Sequence, residues 1–216
     1  IQIKLCNYTD VYYNEKIVAE MDFMVATATL DQIDKFTLRK GDVIITKDSE
    51  SADDIGISAY VPENIPGVVC GYHLSIIRPT NNSFGLYLKY LFDSDYIKAI
   101  LEISANGLTR LGLSQYALDN IEIPCPTLEE QVLISKFIDA EISKIDNLII
   151  EQEKLIELLK EKRQAVISHV VTKGLDSSVN MKDSGIEWIG EIPSHWETKK
   201  LKWCVRLLSD KTSRKT

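Results

Sequence analysis

Apolar residues between Thr127 and Lys173 recur in alternating steps of four and three, which predicts one long helix with an apolar stripe along it. This spacing is the a/d pattern of a coiled coil, and it continues for more than four heptads. At about 1.5 Å per residue the helix would be roughly 70 Å long. A second helix would cover the stripe; the alternative is a helix within an ordinary bundle. The predicted pairing positions are Ile138, Ile142, Ile145, Ile149, Gln152, Ile156, Leu159, Arg163, Val166 and Val170.

Both ends of this helix carry recognisable signals. Pro124 and Pro126 oppose helix before it, because proline lacks a backbone N–H and clashes with the preceding turn. Thr127 and Glu130 have the spacing of a capping box, in which each side chain bonds to the backbone N–H of the other residue. Gly174 fits the left-handed position that follows many helices. The helix is therefore predicted over Thr127–Lys173.

Residues 1–126 show the short alternations and apolar runs of a domain rich in strands. Gly41 and Asp42 supply a turn before Val43–Ile45, whose uniformly apolar side chains predict a buried strand. Helical spacing follows in Phe84–Ser104, with a break near Asp93. Further strands are predicted at Ile1–Leu5, Ile57–Val61, Val68–Cys70 and Leu74–Ile77. The pattern predicts an α+β chain, with a mixed α/β domain followed by a long coiled-coil helix.

Polar, aromatic and basic groups cluster at the predicted turns and strand ends, where binding sites tend to be built. The tyrosine-rich stretch Asn7–Asn14 is either a strand and turn or a loop that contacts a ligand. Arg110 follows a glycine turn, and it is either a solvated side chain or one aimed at a phosphate or a guanine edge. The candidate contact residues are Asn7, Tyr8, Tyr12, Thr46, Lys47, Ser49, Thr109 and Arg110.

The net charge of −7 argues against a strongly basic nucleic-acid binder. Residues 1–126 hold 10 basic against 17 acidic side chains, residues 127–173 hold 7 against 9, and residues 174–216 hold 8 against 6. Any nucleic-acid role must therefore rest on a local basic patch.

The four cysteines match no disulfide or metal spacing, and no signal peptide or membrane span is evident, which predicts a cytoplasmic protein.

No catalytic constellation emerges from the sequence. It contains no glycine-rich phosphate loop and no nucleotide fingerprint, and its three histidines are isolated from one another. No His, Cys, Asp or Glu set has metal-ligand spacing. We therefore predict a binding or scaffolding module with no catalytic residues, no cofactor and no metal.

Three stretches resemble the specificity subunits (HsdS) of type I restriction-modification systems. Leu111–Ser114 and Asn120–Gln131 resemble the join between the recognition domain and the helix of those subunits. Arg39–Asp48 is similar to a strand within their recognition domains, and Gly185–Trp196 looks like the segment that opens the next one. The stretches occur in the family's order and together are specific.

The resemblance implies a DNA sequence-recognition subunit with two target-recognition domains, each followed by a long helix, and with the two helices paired antiparallel. Methyltransferase subunits dock on this frame and restriction subunits join them. This chain departs from the complete pattern and looks like a piece of a longer protein. The predicted parts are residues 1–126, a recognition domain lacking its beginning; 127–173, the spacer helix; and 174–216, a linker and the start of a second recognition domain.

On this interpretation the candidate contact residues lie on one face and meet double-stranded DNA at one half of a bipartite target. A local basic patch can act despite the acidic total, because salt screens distant carboxylates beyond roughly 8–10 Å. The long helix would pair with the other half of a full chain, or with a second copy in a homodimer. Two alternatives remain: a coiled-coil adaptor with no nucleic-acid role, and the recognition domain of a fused DNA methyltransferase.

Overall fold

The computed structural model describes residues 1–107 and 109–206. The chain divides into two compact units, Ile1–Ser143 and Lys144–Thr216. Because this division falls inside the long helix, the domain limits predicted at 126 and 173 remain predictions.

Strands and helices alternate through the first unit, and the second contains most of the long helix and a hairpin. The strands are β1 (Gln2–Cys6), β2 (Met24–Thr27), β3 (Val43–Thr46), β4 (Asp48–Ser49), β5 (Ser58–Tyr60), β6 (Val68–Cys70), β7 (Leu74–Ile77), β8 (Leu111–Gly112), β9 (Met181–Asp183) and β10 (Glu191–Pro193). The helices are α1 (Tyr8–Tyr12), α2 (Leu30–Phe36), α3 (Gly85–Asp93), α4 (Asp95–Ser104), α5 (Gln115–Asp119) and α6 (Leu128–Lys173). The predicted α+β class is confirmed.

Three small sheets form the first unit. In the first, β1 lies between β2, which is antiparallel to it, and β6, which is parallel. In the second, β3 lies between β5 and β7, and both are antiparallel to it. The third pairs only β4 with β8, so that Ser49 lies opposite Leu111. The polar segment that follows β3 is thereby joined to the turn that carries Arg110.

Strand β3 is the centre of the core, because both of its faces are buried. Ile44 packs into one apolar cluster, whereas Val43 and Ile45 pack into another that also contains Phe92 and Leu101. Alternate side chains of a strand point to opposite faces, so a strand buried on both sides must be apolar throughout. The predicted buried strand is confirmed, as are strands at Val68–Cys70 and Leu74–Ile77.

The tyrosine-rich stretch is helical, so neither the strand nor the loop expected there is correct. Helix α1 begins after Asn7, whose side-chain oxygen accepts from the Asp10 backbone N–H at 3.2 Å. Asp10 returns the bond by accepting from the Asn7 backbone N–H at 2.7 Å. This reciprocal cap satisfies two free N–H groups and outweighs the strand preference of tyrosine.

Helix α6 begins with the predicted capping box, since the Thr127 N–H donates to Glu130 at 2.9 Å and the Thr127 hydroxyl accepts from the Glu130 N–H at 3.4 Å. Gln131, the residue after Glu130, is completely buried. Its Oε1 accepts from the Phe84 backbone N–H at 2.8 Å, and its Nε2 donates to the Asn82 carbonyl at 3.1 Å. These bonds attach the first turn of the helix to the segment that precedes α3.

The second unit confirms the predicted end of the helix. Gly174 has a φ of +80°, and its N–H donates to the Val170 carbonyl at 3.0 Å. A hairpin of β9 and β10 follows, and Lys173 Nζ donates to the Glu191 carbonyl at 2.5 Å. The segment predicted to start another recognition domain extends to residue 216, and its part beyond residue 206 lies outside the described residues.

The predicted pairing stripe of α6 is exposed along most of its length. Gln152 and Arg163 are also exposed, and Ile138 and Val170 are half-buried. Leu148 and Leu155 lie beside the a/d positions and are 56% and 46% exposed, so the apolar surface is wider than a strict coiled-coil seam. The exposed fraction of the residue is between 41% and 55% for Ile142, Ile145, Ile149, Ile156, Leu159 and Val166.

Candidate nucleic-acid interface

A cleft of about 290 Å³ lies between α1 and the segment that follows β4. We call it the tyrosine cleft. It combines aromatic rings, hydrogen-bonding hydroxyls, two carboxylates and one guanidinium, which are groups able to stack on and discriminate between bases. Its principal lining residues are Tyr8, Tyr12, Tyr13, Glu50, Asp54 and Arg110.

Helix α1 arranges the aromatic wall of this cleft. Tyr8 and Tyr12 are four residues apart and therefore share a helix face, where their ring centroids are 5.6 Å apart and the ring planes differ by 22°. The Tyr12 hydroxyl donates to Asp54 Oδ1 at 3.0 Å, and this hydrogen bond raises the pKa of Tyr12 above its ordinary value. Tyr12 therefore remains a neutral phenol, and its hydrogen bond to Asp54 fixes the orientation of the ring.

The hairpin of β4 and β8 brings Arg110 to the cleft. Asn106 exchanges two backbone hydrogen bonds with Gly112, at 3.1 and 2.9 Å, and so closes the turn that contains Arg110. Gly107 has a φ of +152°, and a Cβ there would lie 1.9 Å from the Arg110 carbonyl oxygen. Only glycine fits this position, so the predicted glycine turn has a steric requirement.

Asp48 connects Arg110 with His73. Asp48 Oδ2 lies 2.8 Å from His73 Nδ1, and Asp48 Oδ1 lies 2.8 Å from Arg110 Nη2. Oδ1 accepts no hydrogen bond with good geometry among the described residues, so its contact with Arg110 is an ion pair and no more. The Arg110 side chain is 47% exposed, and its remaining N–H groups are available to a ligand.

A second and larger concavity, of about 750 Å³, lies beside β1, α2, β6 and β7. We call it the Lys47 groove. Lys47 lines this groove and is absent from the lining of the tyrosine cleft. Leu5, Val69 and Ile76 contribute apolar surface, and Tyr72, which also lines the groove, is 77% exposed.

The structure brings only some of the predicted contact residues together. Tyr8, Tyr12, Ser49 and Arg110 line the tyrosine cleft, whereas Lys47 lines the neighbouring groove. Asn7 caps α1 beside the cleft, and Thr109 is exposed next to Arg110. Whether any of them contacts DNA stays a prediction.

The structure corrects the prediction that Thr46 is a contact residue. Thr46 is completely buried, its hydroxyl donates to the Asp54 carbonyl at 3.1 Å, and it accepts from the Ile57 N–H at 3.0 Å. Both bonds hold the turn after β4 against β3, so the side chain cannot reach a ligand. Ser49 is also largely buried, and its hydroxyl accepts from the Ser51 N–H at 3.3 Å.

Sequence reasoning missed Asp48, Asp54 and His73. Asp48 stands at the end of the predicted strand, so its position was a usable signal, although its partners lie 25 and 62 residues away. Nothing in the local sequence marked Asp54 or His73.

Within residues 1–107 and 109–206, no group of three metal-ligating side chains could hold a metal ion, and no helix is long and apolar enough to cross a membrane.

The fold and the cleft define a mixed α/β recognition unit from which a long helix continues. A family model, described as the type I restriction modification DNA specificity domain, matches residues 4–160. The chain belongs to this family, and the resemblance seen in the sequence is confirmed.

Individual relatives agree with this assignment. Over 173 residues the chain is 31% identical to a Methanocaldococcus jannaschii protein provisionally named the MjaX type I restriction enzyme specificity subunit, a match that covers 79% of this chain and 39% of that protein. The fold is similar to the HsdS subunit of Thermoanaerobacter tengcongensis, with a TM-score of 0.56 and 20% identity over 85% of this chain and 46% of that one.

A chain from a structure that addresses assembly and conformational transition of the type I R-M system is also similar, with a TM-score of 0.60 at 19% identity. That match covers 80% of this chain and 39% of the other. The present chain thus spans less than half the length of each of these three proteins.

Proposed function

We propose that this chain recognises one half of a bipartite DNA target as part of a type I restriction-modification specificity subunit. The observation that carries the proposal is the tyrosine cleft, which lies within the residues that match the DNA specificity family. Its carboxylates can accept hydrogen bonds from base amino groups, and Arg110 can donate to a guanine edge. The adaptor and fused-methyltransferase alternatives are not favoured, because the match covers the recognition unit and the relatives are named as specificity subunits.

We assign the helix α6 a scaffolding role in the same proposal. Its exposed apolar stripe would pair with a second antiparallel helix, from the other half of a full chain or from a second copy. Methyltransferase and restriction subunits would assemble on that frame, in the cytoplasm where the target DNA is found. The proposed domain limits are those predicted from the sequence, at 126 and 173.

The purified chain is expected to transfer no methyl group from S-adenosylmethionine to DNA when no partner subunit is present. The physical reason is that recognition supplies positioning but no methyl-transfer machinery. A radiolabelled methyl-transfer assay with and without added methyltransferase subunit checks this expectation. Label incorporated into DNA by the chain alone would overturn the non-catalytic assignment.

Arg110→Ala is expected to weaken binding of the assembled complex to its target by about 1–3 kcal/mol and to relax base preference in one half-target. Sequencing of DNA methylated by the complex identifies the target, and titration of labelled target DNA gives the affinity. Lys98→Ala is a suitable control, because Lys98 is exposed on α4 and lines neither concavity. Unchanged affinity and an unchanged methylation pattern would count against the tyrosine cleft as the recognition site.

A further inference from the structure

We propose that the Lys47 groove holds the sugar–phosphate backbone of the bound DNA, with Lys35 and Lys47 as its phosphate contacts. The two concavities then have different roles. The groove supplies affinity that is independent of the DNA sequence, and the tyrosine cleft discriminates between bases. This inference rests on the proposed function, and it assigns phosphate contacts that the tyrosine cleft does not provide.

The charge of the groove is the first argument. Its 18 lining residues, all in the described part of the chain, include Lys35, Lys47 and Arg78 and no aspartate or glutamate. The surrounding residues 1–126 carry 17 acidic side chains against 10 basic ones. The larger of the two concavities therefore has three of the ten cations of an acidic domain in its lining and no carboxylate. Such a patch attracts a polyanion although the net charge is negative.

The availability of the cations is the second argument. Arg78 is already committed, because its Nε and Nη2 donate to the two oxygens of buried Asp42 at 2.8 and 2.7 Å. Lys35 and Lys47 form no ion pair with a carboxylate among the described residues, and Lys35 Nζ lies 5.2 Å from the Phe36 ring centroid. Two ammonium groups thus remain free to neutralise phosphates.

The backbone around Lys47 gives the third argument. The Lys47 N–H donates to the His73 carbonyl at 3.1 Å, and the Lys47 carbonyl accepts from the Leu113 N–H at 2.8 Å. Lys47 therefore stands on a backbone fixed from both sides. Asp48, the next residue, directs its carboxylate to His73 and Arg110, away from pairing with Lys47.

The tyrosine cleft differs from the groove in the chemistry that matters for phosphate. Glu50 and Asp54 line it beside a single Arg110, whose charge is shared with Asp48. Carboxylates repel phosphate but accept hydrogen bonds from base amino groups. Phosphate is therefore favoured in the groove and base edges in the cleft.

The test measures DNA affinity of the complex assembled with its methyltransferase subunits, between 50 and 200 mM salt. Each lost phosphate contact reduces the slope of log affinity against log salt by about 0.9, so Lys35→Ala/Lys47→Ala should reduce it by about 1.8. Over that salt range the double variant should lose roughly 12-fold less affinity than the parent complex. Target and non-target DNA should weaken by the same factor.

Lys4→Ala is the matched control. Lys4 is exposed on β1 and is absent from the groove lining, whereas its strand neighbours Ile3 and Leu5 line it. Because adjacent side chains of a strand point to opposite faces, this variant removes a charge from the same strand without altering the groove. Its salt slope should equal that of the parent complex.

Three outcomes would overturn the inference. One is a double variant whose slope and affinity match the Lys4→Ala control, and another is a loss of affinity confined to target DNA. A third is unchanged DNA binding with lost assembly of the methyltransferase subunit, which would assign the groove to an acidic protein segment. Failure of the proposed function would look different, because the parent complex would then show no sequence preference at all.

Discussion

A chain carrying both Ile149→Asp and Ile156→Asp is expected to lose helix pairing and, with it, assembly with methyltransferase subunits. Both residues lie on the stripe of α6 and are 51% exposed, which leaves them available to a partner. Burial of one isoleucine or leucine contributes about 1.5–3 kcal/mol, so six such positions per helix are ample for association. A carboxylate in the seam removes that contribution and adds the desolvation of a charge.

The measurement is the molar mass in solution by light scattering, followed by co-purification with the methyltransferase subunit. Lys154→Asp with Glu161→Asp is the matched control, because these positions lie on the opposite, polar side of the heptad and receive the same residue. The control should associate like the parent chain. The pairing model would be wrong if the parent chain remained monomeric at high concentration, with its stripe packed against its own first unit.

The second large effect is expected from Asp42→Ala, which should destabilise the first unit by about 3 kcal/mol. Asp42 is completely buried, and it accepts from Arg78 and from the Arg39 backbone N–H at 2.8 Å. Its removal leaves the Arg78 guanidinium without a counter-charge. The Arg78 side chain is 33% exposed, so water recovers part of the loss and keeps the effect at the lower end for a buried pair.

Urea unfolding followed by circular dichroism gives the change in stability, with Asp22→Ala as an exposed aspartate control. Adding Arg78→Ala to Asp42→Ala should recover part of the stability, because the unpaired charge is then absent. Equal unfolding midpoints for Asp42→Ala and Asp22→Ala would show that the ion pair contributes nothing to the fold.

The features that were predictable from the sequence depend on local chemistry. Helix α6 has its capping box, its periodicity and its terminal glycine within one continuous stretch, and β3 reveals its burial through three consecutive apolar residues. Each signal arises from residues that also interact with one another in space. The long helix and the central strand were therefore predicted correctly.

The features that were missed depend on partners distant in the chain or on competition between local preferences. Thr46 was chosen for its polarity, but its hydroxyl is occupied by the backbone of Asp54 and Ile57. The tyrosines favour a strand, but the reciprocal cap between Asn7 and Asp10 stabilises a helix there. The link from His73 through Asp48 to Arg110 crosses three separate segments, and no local pattern could have indicated it.

The junction formed by Gln131 has an evolutionary consequence, because the nitrogen and oxygen atoms that bond to its amide are all main-chain groups. Gln131 bonds to the N–H of Phe84 and to the carbonyls of Asn82 and Pro126, and nearby the Tyr87 hydroxyl donates to the Pro124 carbonyl at 3.0 Å. Main-chain groups persist in every substitution except one to proline, which would remove the Phe84 N–H, so these bonds constrain the glutamine and the tyrosine far more than their partners. Side chains on the surface of the first unit can therefore be replaced without removing these attachments to the helix.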